Sequence, residues 1–250
     1  MVELHGPLGP EVEPPAAVRR LAGDSALRGV WANRLGGLTF AVGDPPSRYV
    51  KWMPPGADPV VADLSVEAER MRWAGRHTPV PEVLEVGGDD DGTWLVTAAL
   101  PGTSAVDARW RTDPTPVVRA IGVGLRALHD ALPVAECPFD WSPARRLGYL
   151  QPRFEHLRAQ LADPPDPDRL VVCHGDACAP NTVVDGDGAW VGHVDLGSLG
   201  TADRWADLAV ATMSLGWNFG PGWEHLLYEA YGIDPDAERI AYHRLLWDCC

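Results

Sequence analysis

The stretch HGDACAPNTVVDGDGAWVGHVDLG, residues 174–197, has Asp176, Asn181 and Asp195 in that order, besides the two aspartates of its DGDG turn sequence. The apolar run just before it, residues 170–173, predicts a buried strand, after which Asp176 and Asn181 follow in a short loop. Two β-rich runs flank the turn sequence DGDG, and this pattern predicts a hairpin whose second strand leads to Asp195. Because a hairpin returns the chain, we expect Asn181 and Asp195 at the same end of it.

These residue types match the needs of phosphoryl transfer to a hydroxyl group. That reaction requires a carboxylate that orients the alcohol and accepts its proton, and hard oxygen ligands that hold Mg²⁺ against the phosphates. We predict Asp176 as the catalytic base and Asn181 and Asp195 as Mg²⁺ ligands. Any one of these residues is more often an ordinary turn residue. The ordered set, with His-Gly before it and Leu-Gly after it, favours catalysis.

A site of this kind also needs a lysine that holds the α- and β-phosphates. The chain has a single lysine, Lys51, within its total of 21 lysines and arginines. Its retention indicates a position that requires an ammonium group, because guanidinium is not equivalent at a compact phosphate site, although chance is an alternative explanation. Tyr49 shares a strand face with Lys51 and can therefore present its ring to an adenine.

The glutamate partner of this lysine is predicted on the next helix. Asp63 is a candidate N-cap, and apolar residues follow it at helical spacing. Glu67 lies on the apolar side of this helix, so we predict Glu67 rather than Glu69 as the partner of Lys51. Pairing of either glutamate with an arginine on the same helix is the alternative.

Five stretches carry a family resemblance. They are VVCHGDACAPN at 171–181, HVDLGSLGTADRWADLA at 193–209, LHDALPVAECPFDW at 128–141, WLVTAALPG at 94–102 and YHRLLWD at 242–248. Together they resemble the aminoglycoside phosphotransferase family, above all the branch that acts on the 3′ or 3″ hydroxyl. The resemblance implies ATP or GTP as phosphate donor and Mg²⁺ as cofactor, with Lys51 and Glu67 on the phosphates. It also implies the roles given above for Asp176, Asn181 and Asp195.

The resemblance further implies an α+β, two-lobed protein-kinase-like fold. Residues 1–99 would form a small, mostly antiparallel β N-lobe with one helix, after a proline-rich lead that carries its own short helix. Residues 100–250 would form a larger, mainly helical C-lobe. Tyr49 would lie against the adenine, and the backbone at Thr97, Ala98 and Ala99 would read the edge of the base.

The bulk composition limits the possible partners. A net charge of −14 argues against nucleic-acid binding and suits a cationic small molecule, for which an aminoglycoside is the expected example. Acidic proteins are also common for reasons of solubility alone. No run of 18 apolar residues occurs, and residues 1–10 lack the pattern of a signal peptide. We therefore expect a cytoplasmic protein that does not bind membranes and that is a monomer or a weak dimer.

The acceptor is less well defined than the reaction. Many relatives have arginine where this chain has Ser198, and the predicted loop 215–222, LGWNFGPG, contains no acid. The remaining candidates for ammonium contacts are Asp203, Asp248 and the carboxylate of Cys250, although Asp203 with the following arginine could equally form a structural ion pair. Two other functions stay open: a kinase of the same fold for another small hydroxyl compound, and a non-catalytic nucleotide-binding protein.

Overall fold

The computed structural model describes residues 6–9, 11–33, 35–56 and 63–250. The chain forms two compact units, one of Met1–Gly75 with Pro81–Ala99 and the other of Arg76–Val80 with Leu100–Cys250. The predicted boundary between residues 99 and 100 places residues 76–80 in the first lobe, whereas they belong to the second unit. A physical reason is that the backbone oxygen of Pro79 accepts the N–H of His193 at 3.3 Å.

The first unit is built on an antiparallel sheet. Its strands are β1 (Gly6–Pro7), β2 (Leu27–Ala32), β3 (Leu38–Val42), β4 (Arg48–Met53), β5 (Val83–Asp89) and β6 (Gly92–Ala98). They are arranged in the order β1-β2-β3-β4-β6-β5, with antiparallel pairing throughout. Among the described residues of this unit, helices are formed by α1 (Ala16–Ala22) and α2 (Leu64–Ala74). This antiparallel sheet matches the predicted, mostly antiparallel β structure of the N-terminal lobe.

The two faces of strand β4 have different environments. Val50 is fully buried in a core that includes Val18 of α1 and Phe40 of β3. Burial of an aliphatic side chain of this size contributes about 1.5–3 kcal/mol, so this core anchors the strand. Because side chains alternate along a strand, Tyr49 and Lys51 share the opposite face. Both side chains are half-buried there.

The second unit combines helices with two small sheets. Its elements are β7 (Thr103–Ser104), α3 (Thr115–Ala131), α4 (Pro143–Arg146), α5 (Arg158–Leu161), β8 (Leu170–Cys173), β9 (Thr182–Val184), β10 (Trp190–His193), β11 (Gly200–Asp203), α6 (Trp205–Phe219), α7 (Glu224–Tyr231) and α8 (Ala237–Cys249). The sheets have the orders β10-β9-β7 and β11-β8. Ile121, Leu125, Trp205, Leu208 and Leu227 belong to the largest apolar cluster, which joins α3, α6 and α7.

Residues 143–162 contain the short helices α4 and α5 with 3₁₀ turns between them. One sequence expectation for this unit was wrong. Residues 215–219, predicted as a loop, form the last turn of α6, which ends at Gly220 with φ of 83°. Among the described residues, no helix combines the length and the apolar character needed to cross a membrane.

Candidate active site

The loop after strand β8 begins with a turn in which only glycine fits at position 175. Gly175 has φ of +84°, a conformation that L residues rarely adopt, and a Cβ added there would lie 2.0 Å from the backbone oxygen of Ser198. The requirement for glycine is therefore both conformational and steric. Asp176 follows directly, so this turn sets the direction in which its carboxylate leaves the strand.

The hairpin β9–β10 brings Asn181 and Asp195 together. Strands β9 and β10 are antiparallel, with His193 opposite Thr182. One residue further along, the N–H of Val194 donates to the backbone oxygen of Asn181 at 3.0 Å. This geometry confirms that the two predicted ligands lie at the same end of the hairpin.

His174 ties the loop to the segment that carries Asp195. Its Nε2 lies 2.9 Å from the backbone oxygen of Val194, and its Nδ1 accepts the N–H of Asp176 at 3.2 Å. Since a carbonyl oxygen can only accept, Nε2 carries the hydrogen. His174 is the histidine of the His-Gly pair before Asp176, and its function in holding the loop was not predicted.

The carboxylate of Asp176 is in an unfavourable electrostatic environment. Burial and, next, the charge of the neighbouring Asp195 raise its pKa above the ordinary aspartate range. Its Oδ1 is buried and accepts no hydrogen bond from the described part of the chain. Two adjacent carboxylates, one of them with an unsatisfied buried oxygen, form a site that a cation would stabilise.

Asp195 has an uncommon backbone conformation. Its φ is 63°, and among the described residues other than glycine it is the one residue with positive φ. Aspartate tolerates this left-handed region better than most residues, but the conformation still costs about 1 kcal/mol or more. Strained backbone of this kind is concentrated at functional sites. Asp195 is half-buried.

The donor set fits Mg²⁺. The Nδ2 of Asn181 donates to the backbone oxygen of Asp176 at 2.9 Å, which leaves the amide oxygen as its other polar atom. Carboxylate and amide oxygens are the hard ligands that Mg²⁺ prefers. Asn181 and Asp195 are therefore the residues that could hold the ion, and Asp176 lies beside them.

Asp207 was not identified by the sequence analysis. It is fully buried on α6, and its two carboxylate oxygens accept the N–H groups of His174 at 2.6 Å and of Gly175 at 2.9 Å. These bonds fix the backbone immediately before Asp176. The sequence did contain a signal, since Asp207 stands within the apolar run of α6, where an unpaired charge would be costly.

Lys51 and Glu67 pair within the first unit. The Nζ of Lys51 lies 2.9 Å from Oε1 and 2.7 Å from Oε2 of Glu67. Asp63 caps helix α2 by accepting the N–H of Ser65 at 2.9 Å, and this cap sets the start of the helix that carries Glu67. The predicted preference for Glu67 over Glu69 as partner is confirmed by these contacts.

The predicted adenine-reading segment is partly occupied by protein contacts. Thr97 pairs with Tyr49 across β4 and β6. The N–H of Ala98 donates to Glu82 at 2.9 Å, and the N–H of Ala99 donates to Ser47 at 3.0 Å. The N–H groups of Ala98 and Ala99 are therefore already used within the protein. At these two residues, only the carbonyl groups could form hydrogen bonds with the edge of an adenine.

Asp203 has a structural position rather than one suited to a substrate. It is 7% exposed, its Oδ1 accepts the N–H of Trp205 at 3.1 Å, and its Oδ2 accepts the N–H of Asp168 at 2.9 Å. Arg204 pairs with Asp168 at 2.6 Å, so the alternative of an Asp203–Arg204 pair was wrong. Burial and these two hydrogen bonds disfavour an ammonium contact for Asp203, which stays a prediction.

The two other acceptor candidates lie at the end of the chain. Asp248 is exposed on α8, whereas Cys250 is half-buried. The guanidinium of the buried Arg146 lies over the rings of Trp141 and Trp247 nearby. Asp248 and Cys250 both stay predictions.

Comparison with known proteins agrees with this arrangement. Residues 32–243 match the model of the phosphotransferase enzyme family. The chain is 38% identical to an aminoglycoside 3′-phosphotransferase of Streptomyces fradiae over 229 residues, which are 80% of this chain and 85% of that protein.

Two solved structures extend the similarity to the fold. An aminoglycoside 3′-phosphotransferase of type VIII is 32% identical, with a TM-score of 0.75 over 94% of this chain and 97% of that one. The aminoglycoside phosphotransferase APH(3″)-Id of Streptomyces rimosus, in complex with ADP and streptomycin, is 27% identical, with a TM-score of 0.67 over 92% and 94%. The predicted α+β, protein-kinase-like fold is thereby confirmed. The chain belongs to the phosphotransferase enzyme family, among the aminoglycoside phosphotransferases.

Proposed function

We propose that this protein transfers the γ-phosphoryl group of ATP to a 3′ or 3″ hydroxyl of an aminoglycoside and so confers resistance. The proposal rests on one observation. Contacts to the backbone of one hairpin and one loop bring Asp176, Asn181 and Asp195 close together. Their residue types supply one base and two hard oxygen ligands, which is what phosphoryl transfer requires of a protein.

Asp176 would orient the acceptor hydroxyl and accept its proton. A raised pKa suits this role, because a base whose pKa lies closer to the working pH takes up a proton more readily. The hydrogen bond from the backbone of Asp176 to the ring of His174 holds the base in place while the acceptor binds. Asn181 and Asp195 would hold Mg²⁺, which neutralises the charge of the phosphate oxygens when bound.

Lys51 would contact the α- and β-phosphates of the nucleotide. Its contact with both carboxylate oxygens of Glu67 holds the ammonium group in one orientation. The side chain therefore loses less conformational entropy when the nucleotide binds. Tyr49, on the same face of β4, would lie against the adenine, with Thr97 beside it in the pair β4–β6. The complex of the Streptomyces rimosus relative with ADP supports a nucleotide as the donor.

The acceptor proposal is supported by the relatives and by charge. The relatives described above are named for aminoglycosides, and the net charge of −14 would attract a polycation. Asp248, exposed on α8, is the acid proposed to pair with an ammonium group. A kinase for another small hydroxyl compound is the second candidate, because Ser198 replaces arginine and residues 215–222 carry no acid.

A coupled ADP-release assay would test the proposal. Wild-type protein is supplied with ATP, Mg²⁺ and, separately, kanamycin, neomycin, streptomycin or simple amino sugars. ADP release that depends on an aminoglycoside, and that Asp176→Asn abolishes, is the expected result. Release that depends only on amino sugars would favour the second candidate. Nucleotide binding without release for any acceptor would contradict the proposed activity.

A further inference from the structure

The contacts of Asp207 continue away from the catalytic loop into the core. Besides the N–H groups of His174 and Gly175, its Oδ2 lies 3.0 Å from Nε2 of His129 on α3. The Nδ1 of His129 lies 2.8 Å from the hydroxyl of Tyr231 on α7. These three side chains and two backbone N–H groups form an unbroken chain of hydrogen bonds that ends one residue before Asp176.

Every member of this chain is shielded from solvent. His129 is 2% exposed, Asp207 0% and Tyr231 1%. Hydrogen bonds between buried polar groups are difficult to replace, because a lost partner leaves a group that water cannot reach. The arrangement therefore has one low-energy state, in which all members are paired.

The protonation states follow from the same contacts. Burial by itself would raise the pKa of Asp207, but the hydrogen bond from His129 and the interactions that follow it bring the pKa below the ordinary value, so the carboxylate is ionised. An ionised carboxylate only accepts, so Nε2 of His129 carries a hydrogen. Burial raises the pKa of Tyr231 to about 12, so its hydroxyl keeps its proton, and the hydroxyl lies within hydrogen-bonding distance of Nδ1 of His129.

We propose that His129 and Tyr231 are positioning residues for phosphoryl transfer: Tyr231 holds the ring of His129 in its orientation, and His129 orients Asp207 so that both of its oxygens hold the backbone before Asp176. This inference rests on the proposed function for the reaction that Asp176 serves. His129 and Tyr231 act through Asp207 and the backbone, not by contact with a substrate.

A buried metal ion is the other reading of this cluster. Ligand atoms of His129, Cys173 and Asp207 lie within 4.8 Å of one another. The thiol of Cys173, however, donates to the backbone oxygen of Asp203 at 3.3 Å, and burial raises its pKa well above the ordinary thiol range. A protonated thiol is a poor metal ligand, and Asp207 already accepts several hydrogen bonds. Hydrogen bonds alone, without a metal ion, account for the contacts of His129, Cys173 and Asp207.

A matched pair of tyrosines provides the test. Tyr231→Phe removes only the hydroxyl that contacts His129. The control is Tyr228→Phe on the same helix, because Tyr228 is also buried but its hydroxyl contacts Thr212 at 3.4 Å instead. In the ADP-release assay we expect Tyr231→Phe to lower kcat about 10-fold with KM for ATP unchanged, and Tyr228→Phe to leave kcat near the wild-type value. Equal values of kcat for the two variants would overturn the proposal.

Substitutions of His129 separate hydrogen bonding from packing. Glutamine can still donate to Asp207, whereas leucine fills the space without a donor. We expect His129→Leu to lower kcat more than Tyr231→Phe does, and His129→Gln to recover part of the loss. Equal loss of kcat in the glutamine and leucine variants at equal melting temperature would show that packing, not orientation of Asp207, matters.

Hydrogen exchange tests the network without any acceptor. The amides of His174 and Gly175 are held by Asp207, so their exchange should be slow in the wild type and in Tyr228→Phe, and faster in Tyr231→Phe and His129→Leu. Unchanged exchange at these two amides would refute the network. If the wild type releases no ADP with any acceptor, the proposed activity fails, while the exchange measurement still decides whether the network exists.

Discussion

The ring of His174 donates from Nε2 to the backbone oxygen of Val194 over 2.9 Å. The N–H of the same Val194 donates to Asn181. One residue before Asp195, the chain is therefore held on both sides by the catalytic loop. The relative position of the base and of the proposed Mg²⁺ ligands depends on these two bonds.

We expect His174→Leu to lower kcat by about 10- to 100-fold, the range typical of residues that orient a metal site without binding the metal. The ring supports both Asp176 and Val194, so its loss should also raise the Mg²⁺ concentration required for half-maximal activity. Titration of Mg²⁺ at saturating ATP and acceptor measures both effects. A lower kcat with an unchanged Mg²⁺ requirement would limit the role of His174 to the base.

Asp176→Asn should abolish turnover and leave nucleotide binding intact. The amide has nearly the same shape but cannot accept the proton of the acceptor, a contribution of about 10²- to 10⁴-fold for a general base. Steady-state assays and a nucleotide thermal shift with Mg²⁺ check the two parts. Near-wild-type turnover would remove Asp176 from the role of base.

The same variant should be more stable than the wild type near neutral pH. The raised pKa means that the folded state binds a proton on Asp176 more tightly than the unfolded state, so stability falls as pH rises from the ordinary aspartate pKa of about 3.9 through the raised value. Asparagine has no such penalty. Melting temperatures of both proteins should differ most at neutral pH and converge toward about pH 4. A lower melting temperature for Asp176→Asn at neutral pH would contradict this account.

Glu67→Gln should raise KM for ATP. The substitution keeps the size of the side chain but removes the charge that orients the ammonium of Lys51. Glu69→Gln, an exposed glutamate on the same helix, is the matched control and should leave KM unchanged. Lys51→Arg should raise KM for ATP more than Glu67→Gln, since a guanidinium cannot replace the compact ammonium. An unchanged KM in Lys51→Arg would refute the phosphate role.

Gly175→Ala should destabilise the fold by at least about 2 kcal/mol, because the residue has positive φ and its Cβ would meet the backbone oxygen of Ser198. Gly186→Ala in the β9–β10 turn is the control, since an added Cβ there meets nothing within 4 Å. Chemical denaturation gives both free energies of unfolding. Similar values for the two variants would show that the loop before Asp176 relaxes easily.

The sequence predicted best where local pattern and chemistry agree. The hairpin that carries Asn181 and Asp195 follows from two β-rich runs around a DGDG turn, and strands β9 and β10 pair antiparallel as expected. The Lys51–Glu67 pair follows from the single lysine and from the face of helix α2 on which Glu67 lies. These inferences need only the periods of strand and helix.

The parts that were missed depend on contacts between distant residues. Asp207 stands 33 positions from His174, and nothing local indicates that its oxygens accept backbone N–H groups there. The predicted substrate role of Asp203 came from its charge, and the hydrogen bonds that its oxygens accept from the N–H groups of Trp205 and Asp168 were not predicted. Residues 215–219, predicted as a loop, belong to helix α6, which ends at Phe219 before the Gly220 cap.

The positive φ of Asp195 restricts which descendants of this sequence could survive with activity. Glycine, asparagine and aspartate tolerate the left-handed region, and of these three only aspartate carries a negative charge. Loss of selection for catalysis would therefore leave glycine or asparagine at position 195 as the replacements that preserve the fold. The residue at this one position gives a criterion for separating decayed gene copies from working ones among otherwise similar sequences.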